Sequence, residues 1–456
     1  MKYTGRQMRA LFEKQVLGRN FLYGIFLLAV MIVALEAQVV GLFVFAAILI
    51  AILVFCDDLM PTLLPFLLTC VFLSTMYDSY HIFIKLWWLA IPFAAAVVFH
   101  FVYYRKKITV GKLFPSLLLV SAALLLGGVG MIPAKQYFSP ISLYYTLGLG
   151  LGMVLIYLLV RSQYAVPRNY DVLEYFAYVM YLMGLFAAFV VLFKYAEKME
   201  IFLETFEALE LPSRNNYATF LMFAMPFPFY QAIRRKHHVF IGLFLYGCIV
   251  LTGSRGGLLC GAVELVLCFV YLAYVETDKE ERAFNIGMLC GLLVLAIMAY
   301  PMVIEFYNSR CDDGDFFNDL GGRIPMAKRA FLYLRENFLF GSGVGYQGNV
   351  DIYNPKTGAL CWYHSLPFQI IGSMGLFGVF AYAYHYYNRL KIMLVSRQPL
   401  PLAISLSCIG IFIMSCFNPG EFCPLPYEML VIISLVLLEL NGERPFAGEQ
   451  LRRKEK

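Results

Sequence analysis

Four residues stand where a charge or a proton could do chemistry. Arg214 lies in Leu211-Pro212-Ser213-Arg214-Asn215-Asn216, Arg255 in Thr252-Gly253-Ser254-Arg255-Gly256-Gly257, and Arg323 directly follows Gly321-Gly322. A guanidinium grips a phosphate through paired N–H donors, and glycines beside Arg255 and Arg323 let an anion approach the backbone. An apolar run starts at Gly256-Gly257, so a helix beginning there would turn its free N–H groups toward the same anion. His364, in Cys361-Trp362-Tyr363-His364-Ser365-Leu366-Pro367, supplies an imidazole able to take a proton from a hydroxyl near neutral pH. Each residue also has a plainer reading: the arginines as interfacial side chains on lipid headgroups, the histidine as part of an interfacial aromatic belt.

The elements that must position these residues are membrane helices. Of 456 residues, 61% are hydrophobic and only 14% charged, with a mean hydropathy of +0.71. A soluble chain carries roughly 25% charged residues, so a soluble fold would leave large apolar patches facing water. The expected fold is an all-α polytopic membrane protein with about 12–14 spans, forming one integral domain over 1–456. Fourteen candidate helices fall near 21–36, 38–56, 59–77, 86–104, 113–132, 142–160, 172–194, 217–233, 239–253, 257–275, 284–304, 366–387, 400–417 and 425–440. With the N-terminus inside, most of the 36 basic residues fall in cytoplasmic segments, including Arg105–Lys107, Arg161, Arg168, Arg234–Lys236, Arg389 and the tail from Arg444. That bias places both termini in the cytoplasm and the three arginines and His364 outside. It also accounts for the net charge of +6 without a nucleic-acid partner.

Two outer segments are too long to be plain connectors. In 194–216, Met199, Phe202, Leu203, Phe206 and Leu209 recur at helical spacing opposite Glu200, Glu204, Glu207 and Glu210, which predicts an amphipathic surface helix. The large loop, 305–365, contains a second such helix from Arg323 to Phe338. Cys311-Asp312-Asp313-Gly314-Asp315 lacks the ligand spacing of a calcium loop and reads as a solvated acidic turn. Gly341-Ser342-Gly343-Val344-Gly345 follows a helix rather than a strand, so it reads as a turn, not a dinucleotide site. Cys311 and Cys361 bracket the large loop, where a disulfide is one hypothesis. The other cysteines, such as Cys70, Cys260, Cys290 and Cys408, lie in apolar runs and read as small hydrophobes. The basic 1–20 stretch runs into an apolar one with no small-residue cleavage site and reads as a start anchor.

Thr252-Gly-Ser-Arg-Gly-Gly-Leu-Leu, then Gly322-Arg323, Asn337-Phe-Leu-Phe-Gly-Ser-Gly-Val-Gly-Tyr and His364-Ser-Leu-Pro-Phe-Gln-Ile-Ile-Gly-Ser-Met-Gly-Leu-Phe-Gly occur in that order. The set resembles the O-antigen ligase and polymerase family of bacterial envelope glycosyltransferases, over roughly 214–378. The resemblance implies a GT-C-like membrane enzyme, independent of metal and cofactor, in the cytoplasmic (inner) membrane. Such enzymes move a glycan from an undecaprenyl-diphosphate carrier to a hydroxyl of a glycan or lipid-glycan acceptor, among membrane lipids and on the outer face. By match to its motifs, Arg255 and Arg323 would hold the donor diphosphate with help from Arg214, and His364 would act as base or orient the acceptor. The family often has Asn after the histidine and Trp soon after the loop arginine, where this chain has Ser365 and Met326-Ala327. The residues suit this chemistry without the family name, since a departing diphosphate needs cations and an attacking hydroxyl needs a base. A lipid-linked oligosaccharide flippase is the alternative; it would gather polar residues near the midplane rather than in outer loops.

Overall fold

The long apolar runs fold as helices, and no strand occurs among the described residues. The structure, a computed structural model, describes residues 5–74, 76, 85–127, 140–166, 168–205, 209, 211, 213–308, 320–344, 362–418, 420–422 and 425–443. In chain order the helices are α1 (Gly5–Val16), α2 (Arg19–Ala34), α3 (Gln38–Phe55), α4 (Leu63–Leu73), α5 (Ala90–Tyr103), α6 (Phe114–Gly127), α7 (Pro140–Leu147), α8 (Met153–Arg161) and α9 (Val172–Glu197). They continue as α10 (Met199–Thr205), α11 (Arg214–Ala224), α12 (Pro226–Ala232), α13 (His238–Leu251), α14 (Arg255–Val275) and α15 (Lys279–Asn308). The last are α16 (Leu320–Glu336), α17 (Leu366–Met393), α18 (Pro399–Phe417) and α19 (Pro426–Glu443).

Each of the fourteen expected segments coincides with a helix or a helix pair. Among the described residues six helices, α3, α9, α14, α15, α17 and α18, are singly long and apolar enough to cross a bilayer, and α1–α2 passes the same test as a pair bent by 63°. Other expected segments are shorter or broken where the backbone demands it. Pro226 divides α11 from α12, and the glycine-rich Gly148–Gly152 makes a π-turn between α7 and α8. The chain is an all-α, multi-pass membrane protein.

The described residues form two units, 5–109 with 162–293 and 110–161 with 294–443. In the first, α9 is the axis. Asp171 caps it, accepting from the N–H groups of Leu173 and Glu174 at 2.9 and 3.1 Å. Small residues let neighbours close in: a methyl on Gly184 would lie 2.5 Å from the Cβ of Ala224 on α11. The two ends of α9 mark two ends of the unit. At its N-terminal end lie the ion pairs Arg168–Asp58, Arg234–Glu174 and Lys236–Glu276. At the other, Tyr195 Oη donates to the carbonyl of Leu251 and accepts from the N–H of Leu209. The basic clusters assigned to one face by charge thus share one end, and Arg214 and Arg255 start helices at the opposite end.

In the second unit α17 is broken at Gly375, whose φ of 61° and ψ of −154° only glycine adopts without strain. The break frees backbone groups, and the turn after α16 takes them up. Leu376 and Phe377 donate to the carbonyls of Phe338 and Leu339, while Ser342 and Gly343 donate to those of Gly372 and Ser373, all at 2.9–3.0 Å. The glycine-rich run is therefore a docking turn, with Gly341 and Gly343 at φ 67° and 88°.

Two expectations need correction. Arg389 lies within α17, which runs on to Met393, rather than in the gap after it; it is 4% exposed and bonded to Glu421 and Glu428 at 3.0 and 2.5 Å. Arg161 is likewise buried at the end of α8, paired with Glu439 and Glu443 at 2.7 Å each. Of the surface helix expected in 194–216, Met199–Thr205 forms α10 and Leu209 is buried, while Phe206, Glu207 and Glu210 lie outside the described residues. His81, Cys311, Cys361 and the acidic turn lie outside the described residues.

Candidate functional site

In the first unit the site is built at two helix N-termini. Gly253, at φ 68°, turns the chain out of α13, and Ser254 caps α14 with its Oγ accepting from the N–H of Gly257 at 2.9 Å. The same Oγ donates to Oδ1 of Asn215 in the first turn of α11, at 2.6 Å. A methyl on Gly257 would lie 2.6 Å from the Cβ of Ala218, so the two helices also touch through small residues. This pairing sets the first turns of α11 and α14 side by side. Arg214 and Arg255, the opening residues of the two helices, flank the bonded pair in sequence, and both are half-buried. Ser213 enters α11 in the left-handed conformation, φ 52° and ψ 38°, and makes no side-chain cap. Two positive helix ends and two guanidinium groups at one end of the unit form an environment for an anion.

In the second unit His364 stands just before α17, exposed, with φ 49°. Left-handed backbone costs a non-glycine residue energy, though histidine is among those that occupy it more readily. Firm anchoring on both sides holds it there. Trp362 packs edge-on against Tyr145, with ring centroids 5.1 Å apart. Tyr363, 1% exposed, packs with Ala330 and Tyr333 of α16, and its N–H donates to Oε1 of Gln369 at 3.1 Å. Gln369 in turn donates to Ser373 Oγ at 2.7 Å. The imidazole Nδ1 lies 3.3 Å from Oδ1 of Asn418, the residue that ends α18.

Arg323 falls in the first turn of α16. Phe331 of α16 meets Phe368 of α17, and the carbonyl of Phe338 bonds Leu376, so α16 and the start of α17 run in the same direction. The backbone of Arg323 therefore lies toward the end of the pair where His364 sits.

The structure thus brings Arg214 to Arg255 in one unit, and Arg323 to the His364 end of the other. Sequence reasoning missed the residues that hold them: Asn215, Ser254, Tyr363, Gln369 and Asn418. A Ser-Arg-Gly-Gly start is readable as a helix cap, but partners 39 and 54 residues away carry no local signal. Among the described residues no cluster of His, Cys, Asp and Glu is placed to hold a metal ion. Residues 240–383 match the family model described as O-antigen ligase, a stretch that includes Arg255, Arg323 and His364. No curated protein matches the chain.

Proposed function

We propose, from the match of residues 240–383 to the family model described as O-antigen ligase, that this membrane protein acts in polysaccharide biosynthesis as a glycosyltransferase using an undecaprenyl-diphosphate-linked glycan. It works at the outer face of the cytoplasmic membrane, with both termini in the cytoplasm. The acceptor is a hydroxyl of a second glycan or lipid-glycan. The observation that carries the reading is the Ser254–Asn215 bond, which sets two arginine-headed helix ends side by side. Arg214 and Arg255 bind the diphosphate with Arg323. The acceptor oxygen attacks the anomeric carbon, the bond from that carbon to the diphosphate oxygen breaks, and His364 receives the hydroxyl proton. The diphosphate leaves on the lipid, its charge held by the arginines. A positioned base of this kind is worth about 10²–10⁴ in rate.

The test is complementation of a deletion strain with wild-type protein, His364→Ala and Arg255→Ala at equal membrane abundance, followed by sizing of polyprenyl-linked glycan. Carrier-linked glycan that accumulates with the variants and clears with wild type supports the transferase. Its length assigns the step: single repeats mean a polymerase and long chains a ligase. Clearance by His364→Ala at the wild-type rate removes the base from the reading and brings a flippase forward.

A further inference from the structure

His364 is exposed on one side and meets Asn418 on another, and Asn418 sits on a segment anchored unusually deeply. After α18 the chain turns sharply: the N–H of Gly420 donates to the carbonyl of Asn418 at 2.8 Å, and that of Glu421 to Ser415 Oγ at 3.1 Å. A methyl on Gly420 would lie 2.7 Å from Ser415 Oγ, so the turn is packed against α18. Glu421, 3% exposed, accepts from Arg389 at 3.0 Å and from the Tyr386 hydroxyl at 2.5 Å, both on α17. Phe422, 1% exposed, packs on Tyr382 with ring centroids 5.7 Å apart. A buried ion pair is a costly way to gain stability, and its best-attested use is to fix register. Here it fixes, three residues away, the side chain that meets His364.

We propose that Asn418 is a positioning residue for His364, its Oδ1 accepting from Nδ1–H so that Nε2 is the nitrogen that takes the acceptor's proton. The inference rests on the transferase reading and adds a residue outside the matched segment to it. An amide acceptor selects one tautomer and one ring orientation, as the third member of a nucleophile–base–orienter set does.

The experiment follows the rate at which carrier-linked glycan disappears from membranes of the complemented strain once its synthesis is blocked. Asn418→Leu keeps the side chain's size but removes the acceptor, and is expected to slow clearance roughly a hundredfold, the cost of misplacing a reacting group by about an ångström. Asn418→Asp restores the acceptor and recovers most of the rate. In a His364→Ala background, Asn418→Leu has no further effect, because the two act as one unit. A single Asn418→Leu variant with the wild-type rate overturns the positioning role, as does an Asn418→Asp variant as slow as the leucine one. So does additive loss in the double variant. These failures differ from failure of the transferase reading, in which His364→Ala itself clears glycan normally.

Discussion

Replacing Asn215 by Asp separates stability from anion binding at the paired helix ends. Asn215 Oδ1 accepts from Ser254 Oγ at 2.6 Å, and a carboxylate accepts the same bond. The new negative charge lies in the first turn of α11 and beside that of α14, where helix dipoles favour it by about 0.3–1 kcal/mol. Asn215→Asp is therefore expected to hold or raise thermal stability. It also sits between Arg214 and Ser254, beside the groups proposed for the diphosphate. An anion within about 6 Å of the added charge is repelled by roughly 3 kcal/mol at an effective dielectric of about 20, which lowers affinity roughly a hundredfold. Ser254→Ala gives the contrasting pattern. It removes a helix cap worth about 1 kcal/mol and leaves the buried Gly257 N–H and Asn215 Oδ1 short of a partner, for a loss of about 2–3 kcal/mol in all. Purified protein in lipid nanodiscs, titrated with undecaprenyl diphosphate and melted with and without it, reads both quantities. Asn215→Asp with wild-type affinity would refute the assignment of these helix ends to the donor, whatever Ser254→Ala does.

Gly257→Ala places a methyl 2.6 Å from Ala218 Cβ and should cost about 1–3 kcal/mol by forcing α11 and α14 apart, read as a lowered melting temperature in detergent. Gly375→Ala meets both a glycine-only conformation and the Gly341 N–H and Phe338 carbonyl at 2.7 Å. It should destabilise by about 3 kcal/mol or more, seen as loss of monodisperse protein on size exclusion. Arg389→Met leaves Glu421 and Glu428 buried without their cation and should cost about 3–5 kcal/mol, whereas changing all three to Met, Gln and Gln should recover most of that in the same melting assay.

Much of this fold is legible in the sequence because a bilayer imposes one rule on every segment: an apolar run must satisfy its own backbone, and a helix does so. That is why the segments expected from 172–194 and 257–275 match α9 and α14 almost residue for residue. The rule is silent about ends. The helix candidate ending at 387 excluded Arg389 because a charge looks like a loop residue, yet its partners Glu421 and Glu428 come from more than 30 residues away. The break at Gly375 was invisible for a related reason. Gly-Ser-Met-Gly-Leu-Phe-Gly reads as a tolerable helix until the turn at 338–343 takes over the backbone bonds the helix gives up. For the site, charge type and glycine spacing pointed to Arg255 and His364, while the contacts of Asn215 and Asn418 depend on tertiary packing.

The matched segment, 240–383, contains Arg255, Arg323 and His364 but neither Asn215 nor Asn418. Within a bilayer, burying apolar surface does little to hold one helix against another, since lipid is as apolar as the partner. Position must then come from close approach at small residues and from polar bonds too costly to break. Both supports have this form. Asn215 reaches Ser254 where Gly257 and Ala218 touch, and Asn418 reaches His364 from a turn packed at Gly420 and tied to Arg389. Three of the four groups suited to chemistry thus lie in one continuous stretch of chain, while Arg214 and side chains that fix their geometry are contributed by helices before and after it. Among the described residues, two of the four non-glycine residues with positive φ, Ser213 and His364, fall at these same points. At His364 the strained backbone is held by the anchored Trp362 and Tyr363 before it and the start of α17 after it, the over-determination that lets such strain persist.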